Sequence, residues 1–394
     1  MTFELLREPG PVPSLAAPAR DTPAPEWTSP SRREPERPAE PSSGEFNRAR
    51  GDFGIDMLVV HLDGMVDGVH RSPSLDAPQV VAALPVPRLD SRDPSCALLA
   101  NLQHTHARHA LNMLQRIPFR ADANPSVPGS FEFEASLQLI RVLLELGETR
   151  TARAALESLR PHCVGDWRIA WYTAIAARLD TEYRRAHRQF DIVRAMLPDE
   201  SAPSLAMAAT AELLVRSRGP YADGDDWQQA SIENYRRAWQ TDRRAASAAF
   251  GLARRLAEGG AIPAAIAVLD ELPTASPHRT TAGLAGCLLQ VSVPLHRLTE
   301  KDLRVAAGRL ADLSGTPRYL PTRVVLLWAT LAWLLAGGQV RDPKKAILET
   351  PATESGLRSG LEAGLRALAR TADDTDYRIR LVDLANRVRP RTWL

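Results

Sequence analysis

At 394 residues the chain is long enough for two or three globular cores or for one extended solenoid. A hydrophobic content of 44% and a charged content of 24% are those of an ordinary soluble protein. Net charge is only +2 with acidic and basic residues interleaved, which excludes the concentrated basic footprint of a nucleic-acid binder. Lysine occurs only at Lys301, Lys344 and Lys345, so the remaining basic residues are arginines. Cys96, Cys163 and Cys287 are far apart, odd in number and in no Cys-x-x-Cys pair, and read as buried apolar thiols in a reducing compartment.

In chain order, residues 1–50 carry ten prolines between positions 9 and 41 and a charge-dense Arg32–Arg37 run. Such a segment cannot bury enough apolar surface to offset its chain entropy, and is expected to be disordered beyond one helical turn over Met1–Glu8. It carries no secretory pattern, because charges and prolines interrupt any apolar run. Residues 51–94 read as a linker with short extended elements. It holds the apolar stretch Phe53–Leu62 and the stiff connector Leu84-Pro85-Val86-Pro87. Asp93-Pro94 then opens one helix predicted over Ser95–Gln115, with proline in its first turn.

The region 95–277 holds the strongest pattern. Ala152, Leu156 and Leu159 return one period of 34 residues later as Ala186, Phe190 and Val193, followed by Pro198. A later copy has Gly260, Ala265, Leu269, Leu272 and Pro277. Between them Ser231, Tyr235 and Ala238 form a copy displaced by an insertion of 11 residues, which fits the turn-like stretch Ser217–Asp226. A small residue, a large one four later and a closing proline at this period are the signature of the tetratricopeptide repeat, about four copies of it here. The small side chain lets two helices approach, the large one fills the gap to the next pair, and each pair leaves an apolar face for its neighbour.

Residues 278–394 read as a capping region of helices near 279–292, 300–314, 321–337, 354–370 and 375–389, which keep the last apolar face out of water. Val324–Gly338 is apolar but about 15 residues long, short of the ~20 that span a bilayer, and is expected to be a buried solenoid helix. The fold expected is therefore an all-α tetratricopeptide solenoid with extra C-terminal capping helices, behind a disordered Pro-rich N-terminus.

Several stretches carry a more specific likeness: Phe53–Val60, Ala248–Arg255, Val268–Ala282 and Leu381–Pro390. With these, residues 53–390 resemble the C-terminal half of the actinobacterial protein kinase G family. That resemblance implies a serine/threonine kinase family in which a rubredoxin-like module and a kinase domain precede a tetratricopeptide tail. It further implies a tail used in dimerisation and protein contacts, in signalling that couples amino-acid availability to glutamate metabolism through a forkhead-associated regulator. The chain departs from the full family pattern. It has no Cys-x-x-Cys pair for rubredoxin iron. Asp52-Phe53-Gly54 spells a kinase metal-binding motif, but only 51 residues precede it, no His-Arg-Asp lies upstream, and no lysine occurs in the first 300 residues. It is read as a coincidence, and the chain by itself as a non-enzyme.

Other chemistry is sparse. On the predicted helix His106 and His109 of the His104–His109 cluster share a face while His104 points elsewhere, which gives zinc too few converging ligands; surface histidines are the alternative. Asp223-Gly224-Asp225-Asp226 does not place the glycine and terminal glutamate where an EF-hand needs them, and suits a helix start. No cofactor or metal is expected. The functional surface is expected on the concave side of the stack, where the inward side chains are Arg141, Glu145, Trp171, Arg178, Glu212, Phe250, Arg254 and Glu258. Arginine forks there would hold a carboxylate or phosphopeptide, with Trp171 and Phe250 either as apolar anchors or as inter-repeat core. The chain is expected to be a cytoplasmic protein-interaction and dimerisation scaffold, with a kinase domain, a forkhead-associated regulator or a second copy as partner. The alternatives are a downstream fragment of a split or mis-started kinase and an enzyme built on the histidine cluster.

Overall fold

In the computed structural model the 34-residue spacing becomes a stack of antiparallel helix pairs. The structure describes residues 44–47, 77–90, 92–117, 129–163, 165–219, 225–343, 345–372 and 375–390. A two-residue strand β1 (Phe46–Asn47), a helix α1 (Ala77–Ala83) and a strand β2 (Val86–Pro87) lead to the short helices α2 (Ala97–Ala100) and α3 (Ala107–Gln115). Four pairs follow: α4 (Phe131–Glu145) with α5 (Thr149–Leu159), α6 (Trp167–Leu179) with α7 (Tyr183–Met196), α8 (Ser201–Arg218) with α9 (Trp227–Thr241), and α10 (Ala246–Glu258) with α11 (Ile262–Asp270). Helices α12 (Arg279–Val291), α13 (Glu300–Ala311), α14 (Tyr319–Leu335), α15 (Glu354–Thr371) and α16 (Thr375–Val388) complete the chain.

Among the described residues, five α-helix starts are set by short polar side chains that accept from the free N–H groups of the first turn. Ser130 accepts from Phe133, Asp166 from Arg168, Asp226 from Gln229 and Thr353 from Gly356, while Thr299 and Asp302 form a reciprocal capping box. The turn inside the first, second and fourth pairs is also repeated. Glu148 donates its N–H to Leu143, Glu182 to Ala177 and Ala261 to Leu256, each at 2.8 Å, a closure in which the preceding residue must enter the left-handed region. That residue is Gly147 (φ 79°) and Gly260 (φ 80°), but it is Thr181 (φ 61°) in the second pair.

The repeat residues lie between the helices of each pair. Ala152, Ala186, Ser231 and Ala265 are fully buried, and so are Phe190 and Tyr235; Leu156 and Leu269 are nearly so. Ser231 donates its hydroxyl to the Ala208 carbonyl at 3.2 Å, which ties the start of α9 to α8. Gly251 faces Tyr235 so closely that a Cβ there would sit 2.5 Å from the ring. The closing prolines differ from one another. Pro198 directly follows α7, whereas Pro277 lies beyond the turn after α11 and leads into α12, so it opens the next helix instead of closing its own.

Two large apolar clusters result. One runs from Phe46 to Leu289 through the helix pairs, and the second from Leu284 to Val388 through α12–α16. In α14, Val324, Leu326, Leu327, Leu331 and Trp333 are buried, and no helix among the described residues is long and apolar enough to cross a membrane.

Three expectations are corrected. Phe46, assigned to the disordered N-terminal segment, is buried against Trp167 and Trp171, with ring centroids 4.9 and 4.7 Å apart, while β1 pairs antiparallel with β2. The strand at Val86 is one of the short extended elements expected of the linker, whereas α1 is a helix there that was not expected. The single helix Ser95–Gln115 breaks at Thr105, which is extended (φ −92°, ψ 145°) and sends its hydroxyl back to the Asn101 carbonyl, so that His106 caps α3. The turn over Met1–Glu8 and the stretch Phe53–Leu62 lie outside the described residues.

Candidate functional site

The side chains predicted to line the concave face project from the first helix of each pair. Arg141 and Arg254 each sit eleven residues before the small residue of the following helix, Ala152 and Ala265, and each has a glutamate four residues on. The structure turns this spacing into two related clamps. Arg141 donates to Glu145, to the Gln138 side chain at 3.0 Å and to the Leu102 carbonyl at 2.9 Å. Arg254 donates to Glu212 at 2.7 Å and to Glu258 at 3.4 Å, and Arg255 pairs with Glu212 and Glu258. Arg141, Glu212 and Arg254 are all 3% exposed or less. Burial raises the Glu212 carboxyl above its ordinary range, and Arg254 and Arg255 pull it back.

These residues are therefore tied to one another inside the stack and do not line an open groove. Thirteen successive residues of α8, Ala202–Leu214, are buried, so this helix is covered on every face. At the other end, Phe46 and α1 cover α4 and α6. Trp171 and Phe250 have no exposed surface; Trp171 is held between Phe46 and Phe190, the latter 5.1 Å away. Both are inter-repeat core, not peptide anchors.

Arg178 stands apart. It is fully buried, and among the described residues its guanidinium has no hydrogen-bond partner. Burial pulls its pKa down to about 10, against the influence of Tyr235, Tyr183 and Glu212. A buried cation without a partner is costly, which makes this the least satisfied charge on the inner face.

A further charged pair escaped the sequence reading. Glu134 on α4 accepts from Arg168 on α6 at 2.7 and 3.0 Å, one repeat period away, and Arg168 also pairs with Asp166 at 2.8 Å. Two clefts were missed as well. One, of about 410 Å³, lies between the start of α7 and the end of α8 and is lined by Tyr183, Arg184, Arg185, Arg188, Leu214 and Arg218 among others. The other, of about 370 Å³, lies between α7 and α9 and includes Arg194, Arg236 and Arg237. The signal was present as the Arg-rich run Arg184–Arg194, but a charge run on a helix ordinarily means a solvated face.

The histidine cluster does not assemble. His104 ends a short 3₁₀ turn, His106 caps α3 and His109 lies within it, and no three His, Cys, Asp or Glu side chains among the described residues could hold a metal. Cys96, Cys163 and Cys287 are buried, and burial pushes their thiols up, Cys96 to about 11 and Cys287 to about 12.

A family model described as the protein kinase G tetratricopeptide repeat matches residues 40–392. The serine/threonine-protein kinase PknG of Mycolicibacterium smegmatis is 37% identical over 347 residues, 88% of this chain and 44% of that protein. That of Mycobacterium leprae is 36% identical over 351 residues, 89% of this chain and 44% of that protein. The chain thus spans less than half the length of these relatives, and the part it matches is the repeat region, not the kinase domain. A tetratricopeptide repeat protein of Parabacteroides merdae has a TM-score of 0.34 and 8% identity over 79% of this chain and 99% of its own, too distant a likeness to argue from. The long match and the buried repeat frame agree: the chain belongs to the protein kinase G tetratricopeptide repeat family.

Proposed function

We propose that this chain is a non-catalytic scaffold that binds proteins in the cytoplasm, in the manner of the regulatory tail of its kinase relatives. The observation that carries this reading is the continuous apolar cluster from Phe46 to Leu289, which fuses successive helix pairs into one stiff platform. A platform of stacked pairs presents long surfaces of fixed spacing, suited to holding a partner protein. The partners proposed are a kinase domain, a forkhead-associated regulator of amino-acid and glutamate metabolism, and a second copy of this chain. Affinity capture of the tagged chain from its own lysate, followed by mass spectrometry, tests the first two. Recovery of either supports the reading, and recovery of nothing specific rejects it. Light scattering tests the homodimer, for which twice the 43.2 kDa chain mass is expected.

The match to 44% of each relative favours a second reading, in which these residues are the downstream part of a kinase whose catalytic portion is encoded separately. A kinase-domain reading frame immediately upstream supports it, and an intact unrelated gene there rejects it.

A further inference from the structure

The cleft between α7 and α8 concentrates positive charge in a chain whose net charge is only +2. Four arginines line it, Arg184, Arg185, Arg188 and Arg218, against one acid, Glu182. Arg185 pairs with Glu182 at 3.0 Å and Arg184 with Asp225 at 3.1 Å, so these two forks are braced by carboxylates. Arg184 also lies over the Trp227 ring, 5.8 Å from its centroid, which fixes its direction. Arg188 is exposed and has no acidic partner among the described residues. A second observation comes from the interior. The Arg178 guanidinium, buried and without a hydrogen-bond partner among the described residues, lies on the neighbouring helix α6 behind Tyr183, one of the lining residues.

Several guanidinium forks lining one hollow of about 410 Å³ suit a compact dianion with three outward oxygens better than carboxylates spread along a chain. We propose that this cleft receives the phosphoryl group of a phosphorylated serine or threonine side chain on a partner polypeptide. Arg188 supplies the free fork, Arg184 and Arg185 the braced ones. The proposal rests on the scaffold reading and adds to it the chemical mark by which a partner is recognised.

The test is fluorescence anisotropy of the full chain with a dye-labelled degenerate peptide pool carrying a fixed central phosphothreonine, beside the same pool unphosphorylated. Tighter binding of the phosphorylated pool by about tenfold or more is expected, with loss of that preference in Arg185→Ala/Arg188→Ala. Both side chains are exposed, so the variant should keep the wild-type melting curve. Equal binding of the two pools, no binding of either, or a preference unchanged in the variant overturns the proposal. Inorganic phosphate is the control for an adventitious ion only: if it saturates the cleft as tightly as the phosphopeptide pool, the polypeptide assignment is wrong. Capture from lysate with wild type and variant separates the two readings. Identical partners on both would sink the cleft and leave the scaffold standing, whereas no specific partner on wild type would sink the scaffold.

Discussion

The repeat pairs and the C-terminal helices keep water out by different means. In α4–α10 the apolar core is crossed by buried ion pairs: Glu134–Arg168, with side chains 1% and 7% exposed, and Glu212–Arg254, with 2% and 3%. Within α13–α16 the ion pairs are local ones four residues apart along a helix surface, Glu300–Arg304, Glu354–Arg358 and Glu362–Arg366; the long-range pair Arg309–Asp270, from α13 back to α11, is also partly exposed, and the core beneath is largely apolar. The first arrangement links neighbouring pairs across one or more repeats; the second trims the rim of a helix. A buried pair contributes little net stability compared with an apolar filling, but breaking it on one side is severe. The repeat block should therefore be sensitive at its charges and the terminal block at its hydrophobes.

The largest expected effect tests this directly. Glu212→Ala leaves the buried Arg254 with only its long 3.4 Å contact to Glu258 and should cost about 3–5 kcal/mol in urea unfolding. Replacing both partners, Glu212→Leu with Arg254→Met, should recover most of that loss. A double variant as unstable as the single one would show that the pair, and not the stranded charge, was what mattered. Next in size is Ala186→Leu, which overfills the contact between α6 and α7 and should cost about 1–3 kcal/mol; an unchanged unfolding curve would mean the repeat frame is misplaced. A smaller change of opposite sign is expected at the shared turn. Thr181 occupies the left-handed position that Gly147 and Gly260 take in the neighbouring pairs, and Thr181→Gly should stabilise by about 1 kcal/mol, read from the same denaturation curve.

Much of the stack was legible in the sequence because its small residues recur at a fixed spacing and helix packing demands small residues there. Ala152, Ala186 and Ala265 needed no long-range information, and the C-terminal helices fell within a few residues of their predicted bounds. What escaped depends on contacts distant in sequence. Phe46 sits more than a hundred residues before the Trp167 and Trp171 rings that bury it, inside a stretch whose prolines argue for disorder. The inner-face arginines were placed on the right helices, yet their partners lie as far as 42 residues away, so a spacing rule could not distinguish an open fork from a buried one. The break at Thr105 was hidden because a β-branched residue lowers helix propensity only slightly, and the hydroxyl bond that ends the turn is visible only in three dimensions.

The smallest expected effect is the sharpest discriminator between the two blocks. Glu362 and Arg366 lie 3.0 Å apart along α15 with side chains 21% and 40% exposed, so solvent screens their attraction and ordering two long side chains opposes it. Glu362→Ala should cost only about 0.3–0.5 kcal/mol, and at 1 M salt, where the screening length falls to about 3 Å, the difference from wild type should vanish. The Glu212→Ala penalty should survive the same salt, because ions barely reach a pair whose side chains are 2% and 3% exposed. Measuring both variants at low and high salt thus separates a charge that shapes the packing of the repeats from one that merely decorates a helix. If both penalties shrink together, the inner face is wetter than its burial indicates, and the contrast between the two blocks is one of degree.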